Sequence, residues 1–310
     1  MKIAVYHSEK LDEYLDLLSG KVPSEWITPI RSADDIQSVL PETELLVANN
    51  AFPFAELNQA RSLKWVQVMA AGVDPWLPHL PEEVRVSRVT GSFGPRMAEF
   101  AIGYLFAITQ RMPDVFAQQA RKEWKALDLD VLAGKTLGVA GLGSIGGAVA
   151  SLGSRVGLRV VGMSNNRPES VQLDAWCPSS DLHAFLGQLD FLVLTLPLTS
   201  STRKLIDASA LKTMKSGAWL LNMARGPIVD EQALITSLQA GHPGGAVLDV
   251  FETEPLPSDS PLWTMPNVIV ASHQSGSTVP ADVVAVLEEN IERYQRGERL
   301  KHEVDRSRGY

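Results

Sequence analysis

Cysteine, long apolar runs and blocks of basic residues are nearly missing from this 310-residue chain. The one cysteine, Cys177, excludes an intramolecular disulfide and a cysteine-based metal site, and such scarcity is typical of the reducing cytoplasm. No apolar run approaches the roughly 20 residues that span a bilayer. The opening sequence MKIAVYH predicts a strand from residue 2 rather than a signal peptide. We therefore expect a cytoplasmic location and no membrane partner.

Basic residues are outnumbered by acidic ones, since 28 Lys and Arg stand against 36 Asp and Glu, a net charge of −8. Without a cluster of Lys and Arg, a nucleic-acid partner is not expected. The six histidines show no metal-ligand spacing, so no metal site is expected either. A hydrophobic content of 45% is that of a globular protein, and the length suffices for two domains with cores of their own.

A glycine-rich turn marks the most distinctive stretch of the chain. The apolar run Thr136–Ala140 predicts a buried parallel strand, and Gly141, Gly143 and Gly146 follow it with G-x-G-x-x-G spacing. A helical pattern and a second apolar run complete a strand–helix–strand unit. In such a unit, the glycines permit the tight turn, the approach of a pyrophosphate and close helix–strand packing. The alternative is a turn that needs glycine for its shape alone. The residues predicted to contact a dinucleotide here are Gly141, Leu142, Gly143, Ser144, Ile145 and Gly146.

The end of the second strand indicates which dinucleotide is bound. An NAD site usually has an acid there for the ribose 2′-hydroxyl, whereas an NADP site replaces it with donors for the 2′-phosphate. This chain has Ser164, Asn165 and Arg167, and no acid before Glu169. These donors favour NADP(H), with NAD(H) as the alternative.

The remaining pattern is that of an α/β protein with two domains. In residues 1–92, short apolar runs alternate with amphipathic segments, which predicts a small βα domain. A long helix is predicted over Phe93–Arg111, and a terminal helix over Pro280–Gly297 is predicted to return to the first domain. The predicted domains are therefore 1–92 with 279–310, and 93–278, the latter a doubly wound Rossmann sheet.

Three polar motifs follow predicted strands of the second domain, where parallel strands place their ligands. They contain Arg225, Glu254 and His273. Reduction of a 2-keto acid requires a cation for the carboxylate and an acid for the forming alkoxide. Arg225 suits the first role, His273 suits the second, and Glu254 is suited to orient the imidazole. Asp249 is a candidate for a bond to the nicotinamide amide.

These motifs, taken in order, resemble the D-isomer-specific 2-hydroxyacid dehydrogenase family, and most closely its NADPH-dependent glyoxylate/hydroxypyruvate reductase branch. The motifs that carry the resemblance are AGVD (71–74), MAEF (97–100), GLGSIG (141–146), TLPLT (195–199), NMARG (222–226), DVFETEPL (249–256) and His273. Two departures are Ser272, where the family often has Pro, and Gln274-Ser275-Gly276, which replaces small apolar residues.

The resemblance implies specific roles and an architecture. Arg225, Glu254 and His273 would be the catalytic residues, and the backbone at Ala70, Ala71 and Gly72 would bind the substrate with Arg225 and His273. Further cofactor contacts would come from Leu196, Pro197 and Ala224. The first domain would be flavodoxin-like, with the active site in the cleft between the domains, and the protein would be a homodimer.

The sequence thus predicts an oxidoreductase that reduces small 2-keto acids to D-2-hydroxy acids by hydride transfer from NAD(P)H. The alternative is an NAD(H)-binding, partner-recruiting protein of the corepressor type, without significant turnover.

Overall fold

The computed structural model describes residues 1–309 and divides the chain into two compact units. Unit 1 comprises Met1–Ser92 together with the segment that begins at Ser277. Unit 2 comprises Phe93–Gly276. Within residues 1–309, no helix combines the length and the apolar character needed to cross a membrane.

Unit 1 contains a five-stranded parallel sheet with strand order β2-β1-β3-β4-β5. This is the flavodoxin-like order, as predicted. Its elements are β1 (Ile3–Tyr6), α1 (Leu11–Leu18), β2 (Ile27–Pro29), α2 (Ala33–Val39), β3 (Leu45–Ala48), β4 (Trp65–Val68), β5 (Arg85–Ser87) and α9 (Pro280–Gln295), with α3–α8 defined below. The central strands β3 and β4 are buried along their whole length, and their residues are apolar except for Gln67 of β4.

The helix α9 belongs to unit 1 and packs against α1. Its fully buried Asn290 donates to Gln67 Oε1 of β4 and accepts from the backbone N–H of Lys301. A buried amide that lost these partners would be costly, so the two bonds fix the helix and the segment after it against the sheet.

Unit 2 contains a seven-stranded parallel sheet with the order β12-β11-β10-β9-β6-β7-β8. Its strands are β6 (Thr136–Ala140), β7 (Arg159–Ser164), β8 (Ala175–Pro178), β9 (Phe191–Leu194), β10 (Trp219–Asn222), β11 (Gly245–Leu248) and β12 (Val268–Val270). Its helices are α3 (Phe93–Thr109), α4 (Met112–Arg121), α5 (Ser144–Arg155), α6 (Leu182–Leu186), α7 (Ala208–Thr213) and α8 (Glu231–Gln239).

The strand order of unit 2 reverses direction between β6 and β9. This doubly wound arrangement is the predicted Rossmann fold, and the point of reversal is where such sheets bind their ligands. Because all seven strands are parallel, the residues that follow β6, β9, β10, β11 and β12 lie at one edge of the sheet. The predicted glycine turn and the three polar motifs share that edge.

Candidate active site

The glycine turn connects β6 directly to the N-terminus of α5. The helix begins at Ser144, between the second and third glycines of the motif, so the turn itself forms the helix start. Gly141 has a φ of +95°, which a residue with a side chain rarely adopts. A Cβ on Gly146 would lie 1.8 Å from the carbonyl oxygen of Gly141, whereas a Cβ on Gly143 would have no atom within 4 Å. Thus Gly146 is required by the turn, and Gly143 opens it toward solvent.

This geometry fits the phosphates of a dinucleotide. The N-cap position of α5 is Gly143, which has no side chain to satisfy the first amide groups of the helix. A helix start of this kind attracts anions through its N–H groups and its dipole. Thr195, directly after β9, donates to the carbonyl oxygen of Gly141 at 2.7 Å and so fixes the turn from the neighbouring strand.

The predicted donors for a 2′-phosphate follow β7. Asn165 and Arg167 are exposed there. Ser164 donates its hydroxyl to the carbonyl oxygen of Asn166 at 2.7 Å and accepts from Trp176 Nε1 at 3.1 Å. The Ser164 side chain therefore shapes the turn, and Asn165 and Arg167 remain the candidate donors with side chains in solvent.

His273 and Glu254 are paired in unit 2, as their predicted roles require. The Nδ1 atom of His273 lies 2.7 Å from Glu254 Oε2. The other carboxylate oxygen, Oε1, accepts from the backbone N–H of Phe251 at 3.0 Å, which holds the carboxylate in one orientation. Because the pair uses Nδ1, the Nε2 atom of His273 is the one available for proton transfer, and the imidazole is half exposed, at 51%.

Arg225 lies close enough for its charge to act on both members of this pair. It follows β10, and its Nη1 donates to the carbonyl oxygen of Ala224 at 2.7 Å. Asn222 holds the turn on both sides, since its amide donates to the carbonyl oxygen of Arg225 and accepts from the N–H of Ala224. At Gly226, a Cβ would lie 1.9 Å from Phe251, so the turn that presents Arg225 requires glycine there.

The electrostatics of the pair favour a protonated imidazole. The bond to Glu254 raises the pKa of His273 above its ordinary value, although burial and the charge of Arg225 oppose the change. Partial burial works to raise the pKa of Glu254, but the bonds from His273 and Phe251 outweigh it, and that pKa lies below its ordinary value. The charge-assisted bond therefore stabilises a carboxylate beside an imidazolium, which is a proton donor.

Asp249 anchors the loop that carries His273. It is 1% exposed, and its carboxylate accepts from the N–H groups of Gln274 and Ser275 and from Ser275 Oγ, at 2.8, 3.1 and 2.5 Å. The backbone N–H of His273 donates to the carbonyl oxygen of Asp249 at 2.8 Å. These bonds hold His273 at a φ of +49°, a left-handed conformation that surrounding structure must enforce. The predicted bond from Asp249 to the nicotinamide amide stays a prediction.

The sequence did not indicate the roles of Ser275, Asn222 and Thr195 in supporting this site. A weak signal existed, because Asn222 ends β10, Thr195 directly follows β9 and Ser275 lies in the loop after β12, and the loops at these strand ends form the ligand edge. Leu196 and Pro197 are half-buried after β9, and Ala224 is buried beside Arg225. The predicted substrate residues Ala70, Ala71 and Gly72 follow β4 in unit 1.

Comparison with known proteins decides the family. Residues 102–275 match the family model described as "D-isomer specific 2-hydroxyacid dehydrogenase, NAD binding domain". The chain belongs to this family. A curated relative, glyoxylate/hydroxypyruvate reductase A of Salmonella paratyphi B, is 34% identical over 267 residues, which cover 83% of this chain and 85% of the relative. The predicted family, and with it nicotinamide dinucleotide binding by unit 2, is thus confirmed.

Solved structures of the family agree along the whole chain. A D-isomer-specific 2-hydroxyacid dehydrogenase from Xanthobacter autotrophicus Py2, in complex with NADPH and MES, is 32% identical with a TM-score of 0.88, covering 100% of this chain and 99% of its own. An NADPH-dependent glyoxylate/hydroxypyruvate reductase from Sinorhizobium meliloti, in complex with NADP and sulfate, is 28% identical with a TM-score of 0.90, covering 100% of both chains. The predicted α/β fold class is confirmed by these similarities.

Proposed function

We propose that this protein reduces small 2-keto acids of the glyoxylate and hydroxypyruvate type to D-2-hydroxy acids, with NADPH as the preferred reductant. The observation that carries the proposal is the 2.7 Å pair of His273 and Glu254, with Arg225 beside it, at the strand edge that also holds the glycine turn. The names of the curated relative and of the Sinorhizobium structure support the substrate class.

In this proposal, the three side chains of the site have distinct roles in the reaction. The guanidinium of Arg225 binds the substrate carboxylate and polarises the carbonyl group. The imidazolium of His273 donates the proton on Nε2 to the keto oxygen as negative charge develops there. Glu254 keeps the imidazole oriented through Nδ1 and stabilises its positive charge. The nicotinamide, when bound, supplies the hydride to the keto carbon.

Binding of the dinucleotide and of the carboxylate is assigned to separate segments. The amides of 143–146 at the start of α5 would hold the pyrophosphate, and Leu196, Pro197 and Ala224 would line the path to the nicotinamide. The backbone of Ala70, Ala71 and Gly72 in unit 1 would bind the substrate carboxylate.

The test of this function is the consumption of NADPH, followed by absorbance, with glyoxylate, hydroxypyruvate and pyruvate as substrates. We expect turnover with at least one of them, and less turnover with NADH under the same conditions. Binding of NADPH without consumption across the panel would contradict the enzyme and favour the corepressor-like alternative.

Arg167 is expected to distinguish the two cofactors. Loss of a charge-assisted bond to a phosphate costs about 1.5–3 kcal/mol, so Arg167→Ala is expected to raise the Kd for NADPH by roughly ten-fold or more. The Kd for NADH is expected to stay the same. The control is Arg159→Ala, an exposed arginine at the opposite end of β7. Equal losses for both cofactors would show that Arg167 does not contact the 2′-phosphate.

The pH profile is expected to depend on Glu254. The reducing enzyme needs protonated His273, so kcat/KM for the keto acid should fall as the pH rises through the raised pKa of His273. In Glu254→Gln, the amide can still accept from Nδ1 but carries no charge, so the pKa falls and the midpoint of the profile moves to lower pH. The control is Glu252→Gln, an exposed neighbour. A midpoint that is the same in Glu254→Gln and the wild type would contradict the role of Glu254.

We further propose that the protein is a cytoplasmic homodimer that associates through unit 2. Within residues 1–309, the large apolar side chains that are exposed lie in residues 106–131 and at Trp263. Those in residues 106–131 are Phe106, Met112, Val115, Phe116, Trp124, Leu129 and Val131. Met112, Phe116 and Trp263 line one open groove. Apolar patches of this kind mark protein interfaces, and two-fold dimers are the commonest assembly.

Light scattering is expected to give twice the 33.8 kDa chain mass, and a monomer at micromolar concentration would contradict this.

A further inference from the structure

The segment after β4 is held through the carbonyl groups of its backbone. Four successive carbonyl oxygens, from Met69 to Gly72, each accept a hydrogen bond from unit 1. The donors are Thr278 Oγ1 to Met69 (3.0 Å), Val89 N–H to Ala70 (3.1 Å), Arg88 Nη1 to Ala71 (3.0 Å) and Asn50 Nδ2, in a longer contact, to Gly72 (3.5 Å). Of these donors, Arg88 alone carries a charge.

Holding the carbonyl groups also fixes where the amide groups point. A trans peptide unit is planar, with its C=O and the next N–H directed to opposite sides. The bond from Arg88 to the Ala71 oxygen therefore directs the N–H of Gly72 away from Arg88. Within residues 1–309, the N–H groups of Ala71, Gly72 and Val73 have no hydrogen-bond acceptor. Two of these N–H groups, those of Ala71 and Gly72, belong to the segment that is proposed to bind the substrate carboxylate.

The backbone of Arg88 is fixed on both sides. Its own N–H donates to the carbonyl oxygen of His302 at 3.2 Å, and the N–H of the next residue, Val89, donates to Ala70. Ser87 and Val89 are buried on either side of it, while Arg88 itself is half-buried. The reach of its guanidinium to Ala71 is therefore set by the end of β5.

We propose that Arg88 is a positioning residue for the substrate carboxylate. Its guanidinium orients the peptide unit of Ala71 and Gly72 and polarises it, so that the N–H of Gly72 becomes a stronger donor. The inference rests on the proposed function, in which the amides of residues 70–72 bind that carboxylate. Arg88 does not touch the reacting atoms in this assignment; it acts through the backbone of the loop.

A second arginine, Arg85 at the start of β5, provides a matched control for Arg88, which directly follows this strand. Arg85 donates to both carboxylate oxygens of Glu303, at 2.8 and 3.0 Å, and to the carbonyl oxygen of Glu298 at 2.8 Å. Arg85 thus ties β5 to the C-terminal segment, and within residues 1–309 it has no hydrogen bond to residues 70–72. A general loss of stability in unit 1 should appear in an Arg85 variant, whereas loss of carboxylate binding should not.

The experiment compares wild type, Arg88→Met, Arg88→Lys and Arg85→Met. Calorimetry measures the binding of oxalate, a non-reacting carboxylate probe, to the NADPH-loaded protein, and steady-state kinetics measure KM and kcat for glyoxylate. For Arg88→Met we expect the oxalate Kd and the glyoxylate KM to rise about ten-fold, with the Kd for NADPH unchanged. Arg88→Lys should recover part of the affinity, because an ammonium can still donate to Ala71. Arg85→Met should lower the melting temperature and leave the oxalate Kd unchanged.

The outcomes separate this inference from the proposed function. If Arg88→Met binds oxalate as the wild type does, the inference is overturned even when keto acids are reduced. Arg88→Ala, which also removes the donor to Ala71, takes the place of Arg88→Met in this comparison if Arg88→Met does not fold. If the wild type binds oxalate in an Arg88-dependent way but reduces no keto acid, the inference holds and the proposed function fails. If the wild type does not bind oxalate, the loop holds no carboxylate and the inference is overturned.

Discussion

Replacing His273 by alanine is expected to lower kcat for keto-acid reduction by roughly 10²–10⁴-fold, the usual contribution of a general acid. The reason is that the proton on Nε2 is lost, while Arg225 and the glycine turn remain. The Kd for NADPH is therefore expected to stay near that of the wild type. Stopped-flow or steady-state measurement of NADPH oxidation with saturating keto acid gives the rate.

The backbone of His273 requires a second variant. Asparagine adopts a φ of +49° at a lower energetic cost than alanine does. His273→Asn therefore keeps the loop conformation without supplying a proton donor. Both variants should lose activity to a similar extent. His183→Ala, which removes an exposed histidine bonded to Thr213, is the control and should retain full activity. Near-normal turnover in His273→Asn would show that another group donates the proton.

Arg225→Met is expected to lower kcat/KM for the keto acid by roughly 10³-fold, since it removes both the partner of the carboxylate and a donor to the developing alkoxide. The turn should survive, because Asn222 binds the backbone of Arg225 and not its guanidinium. Lysine at this position keeps the charge but not the planar fork, so Arg225→Lys should recover only part of the activity.

The control for Arg225 is Arg203→Met, an exposed arginine after the neighbouring strand β9. It changes the net charge by the same amount, so any general electrostatic effect on an anionic substrate should appear in both variants. A loss in Arg203→Met as large as that in Arg225→Met would contradict a specific role for Arg225. A specific role for Arg225 would also be contradicted if both the KM for glyoxylate and kcat in Arg225→Met equalled those of the wild type.

The strands around the site were predictable because they are buried on both faces. In a parallel sheet covered by helices, each strand is a continuous apolar run, and β6, β9, β10 and β11 have this character. The glycine spacing then located the strand–helix turn. These features identify a Rossmann sheet without knowledge of tertiary contacts.

The strands β2 and β8 and the helix α4 are among the elements that escaped prediction, because their sequences carry little of that signal. The strand β2 has three residues, lies at the sheet edge and ends in Pro29, and β8 is also an edge strand, with each residue half-buried. The helix α4 has no buried residue, so its pattern does not show an apolar face directed at a core. Their formation depends on neighbours that the sequence pattern does not reveal.

The candidate catalytic residues were predictable from their position after strands, but the network around them was not. An acid, a cation and an imidazole at neighbouring strand ends indicate chemistry. The bonds from Gln274 and Ser275 to Asp249 join residues 25 and 26 positions apart, and only the fold brings them together. The same holds for Arg88, whose target lies 17 residues before it.

The most direct test of the proposed reaction is the product formed from hydroxypyruvate with NADPH in which both hydrogens at C4 are deuterium. Hydride transfer to the keto carbon, with protonation of the oxygen by His273, predicts D-glycerate with one deuterium at C2, identified by chiral chromatography and mass spectrometry. L-glycerate, a racemic product or a product without deuterium would contradict it.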